Sequence, residues 1–285
     1  MVNRRFTAFD CFIYAALLVV GLATLLPFMY VISVSLTPYS EVMRNGGFVL
    51  LPRSISFEAY RQLFDRPLIP RAFGVTLFLA TVGTVLNLAL TLLMAYPLSR
   101  KKLPARTPLL LFVVFTMLFS GGLIPTYLVV KSTFLLNTMW AMIIPSLIWA
   151  FNILVMKTFL EGLPEELFES ARMDGAGEGT MLARLVIPLS VPSIITIGLF
   201  YMVGHWNQFF LGVLYIQNQD LYPLQLVVRN ILISATQMET NVEVTLPTAT
   251  LQMAAVVSAS LPIVLVYPFF QKHLTKGMLL GSIKG

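Results

Sequence analysis

The densest group of polar side chains within an uncharged stretch is His205-Trp206-Asn207-Gln208, with Tyr201 one helical turn before it. An imidazole, two amides and two amphipathic rings can hydrogen-bond and stack a neutral polar solute. Asn87, Asn152 and Gln252 are further polar residues in apolar surroundings. In a membrane such groups face a bundle interior or a water-filled cavity. They serve helix–helix hydrogen bonding more often than ligand binding, so both readings stand for each of them. No chemistry of bond-breaking is visible. His205 and His273 are too few and too far apart for a metal site. No paired carboxylate lies in an apolar stretch, and no Gly-x-x-x-x-Gly-Lys-Ser/Thr phosphate loop occurs.

A second cluster is acidic. Residues 161–188 hold six of the 13 Asp and Glu residues. Pro164 suits a first helical turn, Glu165 and Glu166 sit where the positive helix end favours anions, and Gly175 and Gly177 are natural stops. Leu167, Ala171 and Asp174 fall on one stripe, with Phe168 and Met173 beside it. The pattern predicts an amphipathic helix of about three turns. Helices that lie on lipid headgroups are usually basic, so docking into a partner protein's groove is the better reading.

The elements that must position these groups follow from composition. Only 11% of the 285 residues are charged, against roughly 25% in an ordinary globular domain. Hydrophobic residues reach 57% and the mean hydropathy is +0.82, which excludes a soluble globular fold. The single cysteine, Cys11, cannot form an internal bridge. Six windows, 11–40, 72–99, 107–130, 132–156, 185–219 and 244–271, carry no Lys, Arg, Asp or Glu. Each exceeds the ~20 residues a helix needs to cross the hydrocarbon core. Backbone groups in lipid must pair internally, and runs such as Ala15 to Leu26, apolar on all sides, suit helices rather than barrel strands. The expected fold is an all-α integral membrane protein with six transmembrane helices, near 11–36, 72–97, 108–130, 139–160, 190–214 and 248–270.

Six crossings put both termini on one side of the membrane. That side carries 12 of the 19 Lys and Arg residues, with Arg100, Lys101, Lys102 and Arg106 crowded into one short loop, so it is predicted to be cytoplasmic. The first apolar run is longer than a signal-peptide core and lacks a small-x-small cleavage site, so it is expected to be retained. A net charge of +6 is accounted for by topology without nucleic acid. Residues 1–285 are expected to form one permease domain, with external loops 37–71 and 217–247, the cytoplasmic segment 161–188 and a cytoplasmic tail 271–285. Pro27, Pro125, Pro145 and Pro262 lie inside predicted spans, where they kink helices.

The acidic segment resembles a known family. Membrane subunits of binding-protein-dependent ABC importers carry Glu-Ala-Ala, three residues, Gly, nine residues, Ile-x-Leu-Pro. This chain has Glu169-Ser170-Ala171, three residues, Gly175, nine residues, then Leu185-Val186-Ile187-Pro188. The departures are Ser170 and the Leu/Ile exchanges around Val186. Ala95-Tyr96-Pro97-Leu98-Ser99-Arg100, Pro188-Leu189-Ser190-x-Pro192 and the ending Gln271 to Gly285 resemble the smaller membrane subunit of carbohydrate importers such as the maltose system. Gly121 to Tyr127 and Leu135 to Thr138 are similar to a sub-branch handling oligosaccharides, including alginate and other uronate-containing fragments.

The resemblance implies a type I importer fold and a non-catalytic permease in a bacterial inner membrane. It implies a second homologous permease, two ATP-binding subunits that hold ATP and Mg, an extracytoplasmic solute-binding protein and a carbohydrate substrate, with no cofactor on this chain. The acidic helix would be the coupling helix, with Glu165, Glu169, Ser170, Ala171, Asp174, Gly175 and Pro188 at the ATPase contact. The tail would insert between the ATPase subunits, beside the alternative of a frayed terminus. Tyr222, Arg229 and Asn241 become candidates for contact with the binding protein, beside the alternative of an ordinary solvated loop. An ion-coupled secondary transporter is the alternative function, but it calls for intramembrane carboxylates or inverted repeats, and neither is visible.

Overall fold

The computed structural model describes residues 8–237 and 248–282, and among these the regular structure is entirely helical. Three stretches, Phe9–Ser35, Leu68–Ser99 and Ala249–Phe269, are each long and apolar enough to cross a membrane unaided. Three more spans of sufficient length arise only when bent pairs are taken together. These are Arg106–Leu118 with Leu123–Ser132, bent by 109°, Trp140–Ser146 with Ala150–Glu161, bent by 53°, and Glu178–Leu189 with Val191–Trp206, bent by 81°.

Continuous helices are expected across the first two breaks, and the third falls at the expected start of the fifth helix; each has a local cause. At the first break Gly122 adopts φ 86°, open to glycine without a Cβ penalty, and its N–H donates to Ser120 Oγ at 3.2 Å. At the second, Pro145 is followed by Trp149 in extended conformation. At the third, Ser190 (φ −96°, ψ 4°) stands between Pro188 and Pro192, whose missing N–H groups suit a helix start but not a helix interior. The expected fifth helix stops at Trp206 and resumes as Phe210–Tyr215. The expected external loop 217–247 is likewise partly ordered, with a short turn at Gln219–Leu221 and a helix at Leu224–Gln237.

The chain divides into two compact units. Met1–Ile69 with Val228–Leu261 form one. Its helix Ala8–Ser35 exposes Leu17, Leu18, Val19 and Val20 on consecutive faces, as a helix meant for an apolar solvent does. Its C-terminal end is anchored by packing and by polar contacts. Val34 packs with Val42 and Val49, Tyr30 donates to the Gly47 carbonyl at 3.0 Å, and the Ser35 and Tyr60 hydroxyls lie 2.8 Å apart. Glu41 accepts from the Arg53 N–H at 3.1 Å and the Ser54 hydroxyl at 2.7 Å, which closes the polar loop beyond.

Pro70–Val227 with Pro262–Gly285 form the other unit. Its centre is Leu68–Ser99 packed along Ala150–Glu161, with Val191–Trp206 against both. Ile153, Met156, Ile197 and Tyr201 are buried between them. Two glycines allow this closeness. A Cβ on Gly204 would stand 2.5 Å from the Trp149 ring, and one on Gly83 would stand 2.6 Å from His205 Nε2.

Candidate translocation and coupling sites

Breaking a helix frees backbone carbonyls that lipid cannot satisfy. Carbonyls of Met142, Ser146 and Leu147 at the broken segment are met by two residues singled out by type, Asn87 and Gln208, with His205 linking the two. Asn87 Nδ2 donates to the carbonyls of Ser146 at 2.7 Å and Leu147 at 2.8 Å. Its Oδ1 lies 2.8 Å from His205 Nε2, and His205 Nδ1 lies 3.2 Å from Gln208 Oε1. Gln208 Nε2 closes the chain by donating to the Met142 carbonyl at 2.8 Å. Asn87 and His205 are buried. This network splints a broken helix across three elements, and the absence of a side chain at Gly83 lets the imidazole reach it.

The remaining polar residues are dispersed. The hydroxyls of Tyr201 and Thr91 lie 2.7 Å apart in the core, and the Tyr201 ring packs on Trp149 at 5.0 Å. Trp206 meets Phe73 edge-on at 5.7 Å. Asn152 is buried and its Nδ2 has no hydrogen-bond partner. Asn207 is exposed and donates to the Val203 carbonyl at 3.0 Å. Gln252 is half-buried in the other compact unit. Beside the network opens a cavity of about 230 Å³ lined by Ser146, Trp149, His205, Asn207, Gln208 and Phe209, among others. Aromatic faces alternating with amide and hydroxyl groups are the surface that a sugar ring, apolar on its faces and polar at its edge, would meet. Thr91 and Trp149 carry no signal in the sequence, because nothing in their spacing marks them as neighbours of Tyr201.

The acidic helix forms at Glu165–Met173. Its end is a Schellman motif: the Gly175 N–H donates to the Arg172 carbonyl at 3.0 Å and the Ala176 N–H to the Ala171 carbonyl at 2.9 Å. The motif needs a left-handed residue after the cap, and Gly175 has φ 79°. Glu165, Glu169, Ser170 and Asp174 are exposed, Leu167 is exposed with them, and Met173 is 88% exposed. Ala171 is half-buried against the core cluster.

One side chain of this helix is fully buried, and it is Phe168. The Arg100 guanidinium lies over its ring, 3.3 Å from the centroid, and over Tyr96 at 4.9 Å. Arg100 also stands 3.9 Å from Glu165. At the other end of the helix Tyr96 donates to Glu178 at 2.5 Å, and Arg172 pairs with Glu178 at 3.5 Å. The acidic helix is thus fastened to the last turn of Leu68–Ser99 at two points. Arg106 pairs with Glu161, which Lys157 also meets at 2.8 Å, and this holds the adjoining chain ends together. The Tyr96-to-Arg100 segment stands out in the sequence only as a family pattern, and its part in anchoring the helix emerges from the fold. Pro188 is exposed beside the 81° bend.

In the segment before Trp140, Asn137 (φ 61°) accepts through Oδ1 from the N–H groups of Gln217 at 3.1 Å and Asn218 at 2.9 Å. Arg71 pairs with Asp220, and the Leu224 N–H donates to Thr76 Oγ1 at 2.8 Å. Tyr222 is half-buried against the cluster around Tyr215 and Ile216, and Arg229 is exposed on Leu224–Gln237. Asn241 lies outside the described residues.

Residues 88–280 match the model of the family described as "Binding-protein-dependent transport system inner membrane component". The chain is 43% identical over 290 residues to the polygalacturonan/rhamnogalacturonan transport system permease protein YtcP of Bacillus subtilis (strain 168), the alignment covering all of both chains. It is 45% identical over 270 residues to the protein LplC of the same organism, covering 93% of this chain and 91% of that one. Among solved structures, a chain from a bacterial ABC transporter involved in the import of the acidic polysaccharide alginate superposes with a TM-score of 0.86 at 28% identity. That match covers 95% of this chain and 99% of the other. On the family match over residues 88–280 and the relatives at 43% and 45% identity, this chain belongs to the inner-membrane components of binding-protein-dependent transport systems.

Proposed function

We propose that this protein is one permease of an ATP-driven carbohydrate importer, a single domain of residues 1–285 crossing the inner membrane six times with both termini in the cytoplasm. The three helices long enough to cross unaided and the three bent pairs support this count by length and composition. The chain forms half of the pore, and a second homologous permease forms the rest. It performs no bond chemistry. Two partner subunits bind ATP and Mg, and their closure drives this chain between inward- and outward-open states. The cargo arrives on an extracytoplasmic solute-binding protein that meets the segment around Tyr222 and Arg229. The tail 271–285 reaches between the ATPase subunits.

The observation that carries this reading is the Glu165–Met173 helix, with its acidic face exposed and its one buried residue clamped to the end of Leu68–Ser99. A rigid lever with an unpartnered outer face is what a subunit needs in order to receive motion from another chain. An oligosaccharide containing uronic acids is the proposed cargo. Support comes from the relatives, since the names of two of them concern polygalacturonan and alginate.

The test is mild detergent extraction of the protein from its native membrane, followed by mass spectrometry and by uptake assays on the reconstituted complex. Recovery of an ATPase subunit and a second permease, with ATP-dependent uptake of oligogalacturonide or oligoalginate, is expected. Recovery of this chain alone in repeated extractions overturns the importer reading. ATP-driven uptake of neutral oligosaccharides only overturns the uronate assignment.

A further inference from the structure

A cleft of about 500 Å³ opens at the basic end of Leu68–Ser99, beside the acidic helix, whose Arg172 contributes to its lining. Leu93, Pro97, Leu103 and Leu182 contribute apolar surface to the lining, and Arg100, Lys102 and Arg172 contribute cations. Glu178 is the one carboxylate in the lining, and it is already engaged by the Tyr96 hydroxyl and by Arg172. Among the described residues Lys102 makes no ion pair. Arg100 Nε is buried with no hydrogen-bond partner.

The cleft also has a direction. Leu93 precedes Arg100 by seven residues, so at 1.5 Å per residue the apolar wall runs about 10 Å along the helix away from the charges. Leu93 is 57% exposed. On the topology proposed above, on which this inference rests, that wall lies in hydrocarbon and the cations lie at headgroup level of the cytoplasmic leaflet. A soluble anion would use the cations and leave the apolar surface wet. A cytoplasmic protein could not follow the wall into the bilayer. A molecule with an anionic head and an apolar body meets both.

We propose that this cleft is a binding site for an anionic phospholipid, whose phosphate is held by Arg100, Lys102 and Arg172 and whose glycerol and first acyl carbons lie along Leu93 and Leu103. The lipid thereby fills the angle between Leu68–Ser99 and the Glu178–Leu189 segment, beside the two fastenings of the acidic helix.

The test uses the transporter purified with its partner subunits and placed in nanodiscs of equimolar phosphatidylglycerol and phosphatidylcholine. Native mass spectrometry then counts the lipids retained. Wild type is expected to retain phosphatidylglycerol selectively. A basic residue near an anionic membrane surface is worth roughly fivefold in binding, so Lys102→Gln should lower that retention about fivefold. Lys102→Glu should lower it further, and Lys102→Arg should restore it. Three results overturn the proposal: equal retention of the two lipids, unchanged retention in Lys102→Glu, or release of the bound lipid by millimolar inorganic phosphate, which would assign the charges to a soluble anion. Lys102 is exposed and unpaired, so these variants do not disturb the fold through a lost partner. The readout needs no transport, and partner recovery is scored on the same sample. Loss of lipid selectivity therefore leaves the importer reading standing, and loss of the partners is detected independently.

Discussion

Replacing Gly175 with Ala isolates the backbone contribution to the acidic helix. No atom lies within 4 Å of where the new Cβ would stand, so the substitution meets no steric neighbour. The whole cost comes from holding an L-residue at φ 79°. A left-handed conformation costs a non-glycine residue roughly 1–2 kcal/mol, which is about a fivefold to thirtyfold loss in population of the capped end. Two hydrogen bonds depend on that geometry, Gly175 N–H to Arg172 and Ala176 N–H to Ala171. The assay is hydrogen exchange of the amides at positions 175 and 176 in the purified complex, run beside ATP hydrolysis and uptake in proteoliposomes. In Gly175→Ala these amides should lose about fivefold to thirtyfold in protection, and uptake per ATP hydrolysed should fall. Gly175→Asn should fall between wild type and Ala, because asparagine tolerates the left-handed region better. Equal protection in all three proteins would show that the cap does not constrain the helix and would refute the reasoning.

Arg100→Lys keeps the charge but removes the planar group over Phe168, an interaction worth about 1–2 kcal/mol when partly desolvated; ATP hydrolysis should persist while uptake drops, and unchanged uptake per ATP would remove Arg100 from the linkage. Gly204→Ala drives a methyl group to 2.5 Å from Trp149 and should destabilise the protein by about 1–3 kcal/mol, read as a lowered thermal midpoint in detergent, whereas an unchanged midpoint would mean that the ring yields freely. Glu41 is held below its ordinary value of 4.5, first by the hydrogen bond from Ser54 and then by the Arg53 N–H and charge. Its folded pKa is the lower one, so its support for the loop is fully present above the unfolded value and is lost as pH falls through the folded value. Exchange at the Arg53 amide should accelerate across that acid range relative to a neutral-loop control, and Glu41→Gln should abolish the pH dependence.

The sequence by itself determined that this chain lives in a membrane, because 170 residues in charge-free windows leave too few charges to clothe a soluble surface. It also located the acidic helix, its stop at Gly175 and the family to which the spacing belongs. These are properties of composition and of contacts between near neighbours in the chain, which a linear pattern records. Tertiary structure decided how sharply the spans bend, since the glycine and prolines near Gly122, Trp149 and Ser190 permit a break without fixing its angle. It drew Asn87 and His205 together across 118 positions and left Asn207 at the surface, although the two neighbours His205 and Asn207 read alike as polar residues in an apolar run. It made Phe168 the anchor rather than Leu167, because the rotation of the helix is set by what it packs against. Partners that satisfy a freed carbonyl, or a ring that accepts a guanidinium, are chosen by proximity in space, and distance along the chain carries no record of that choice.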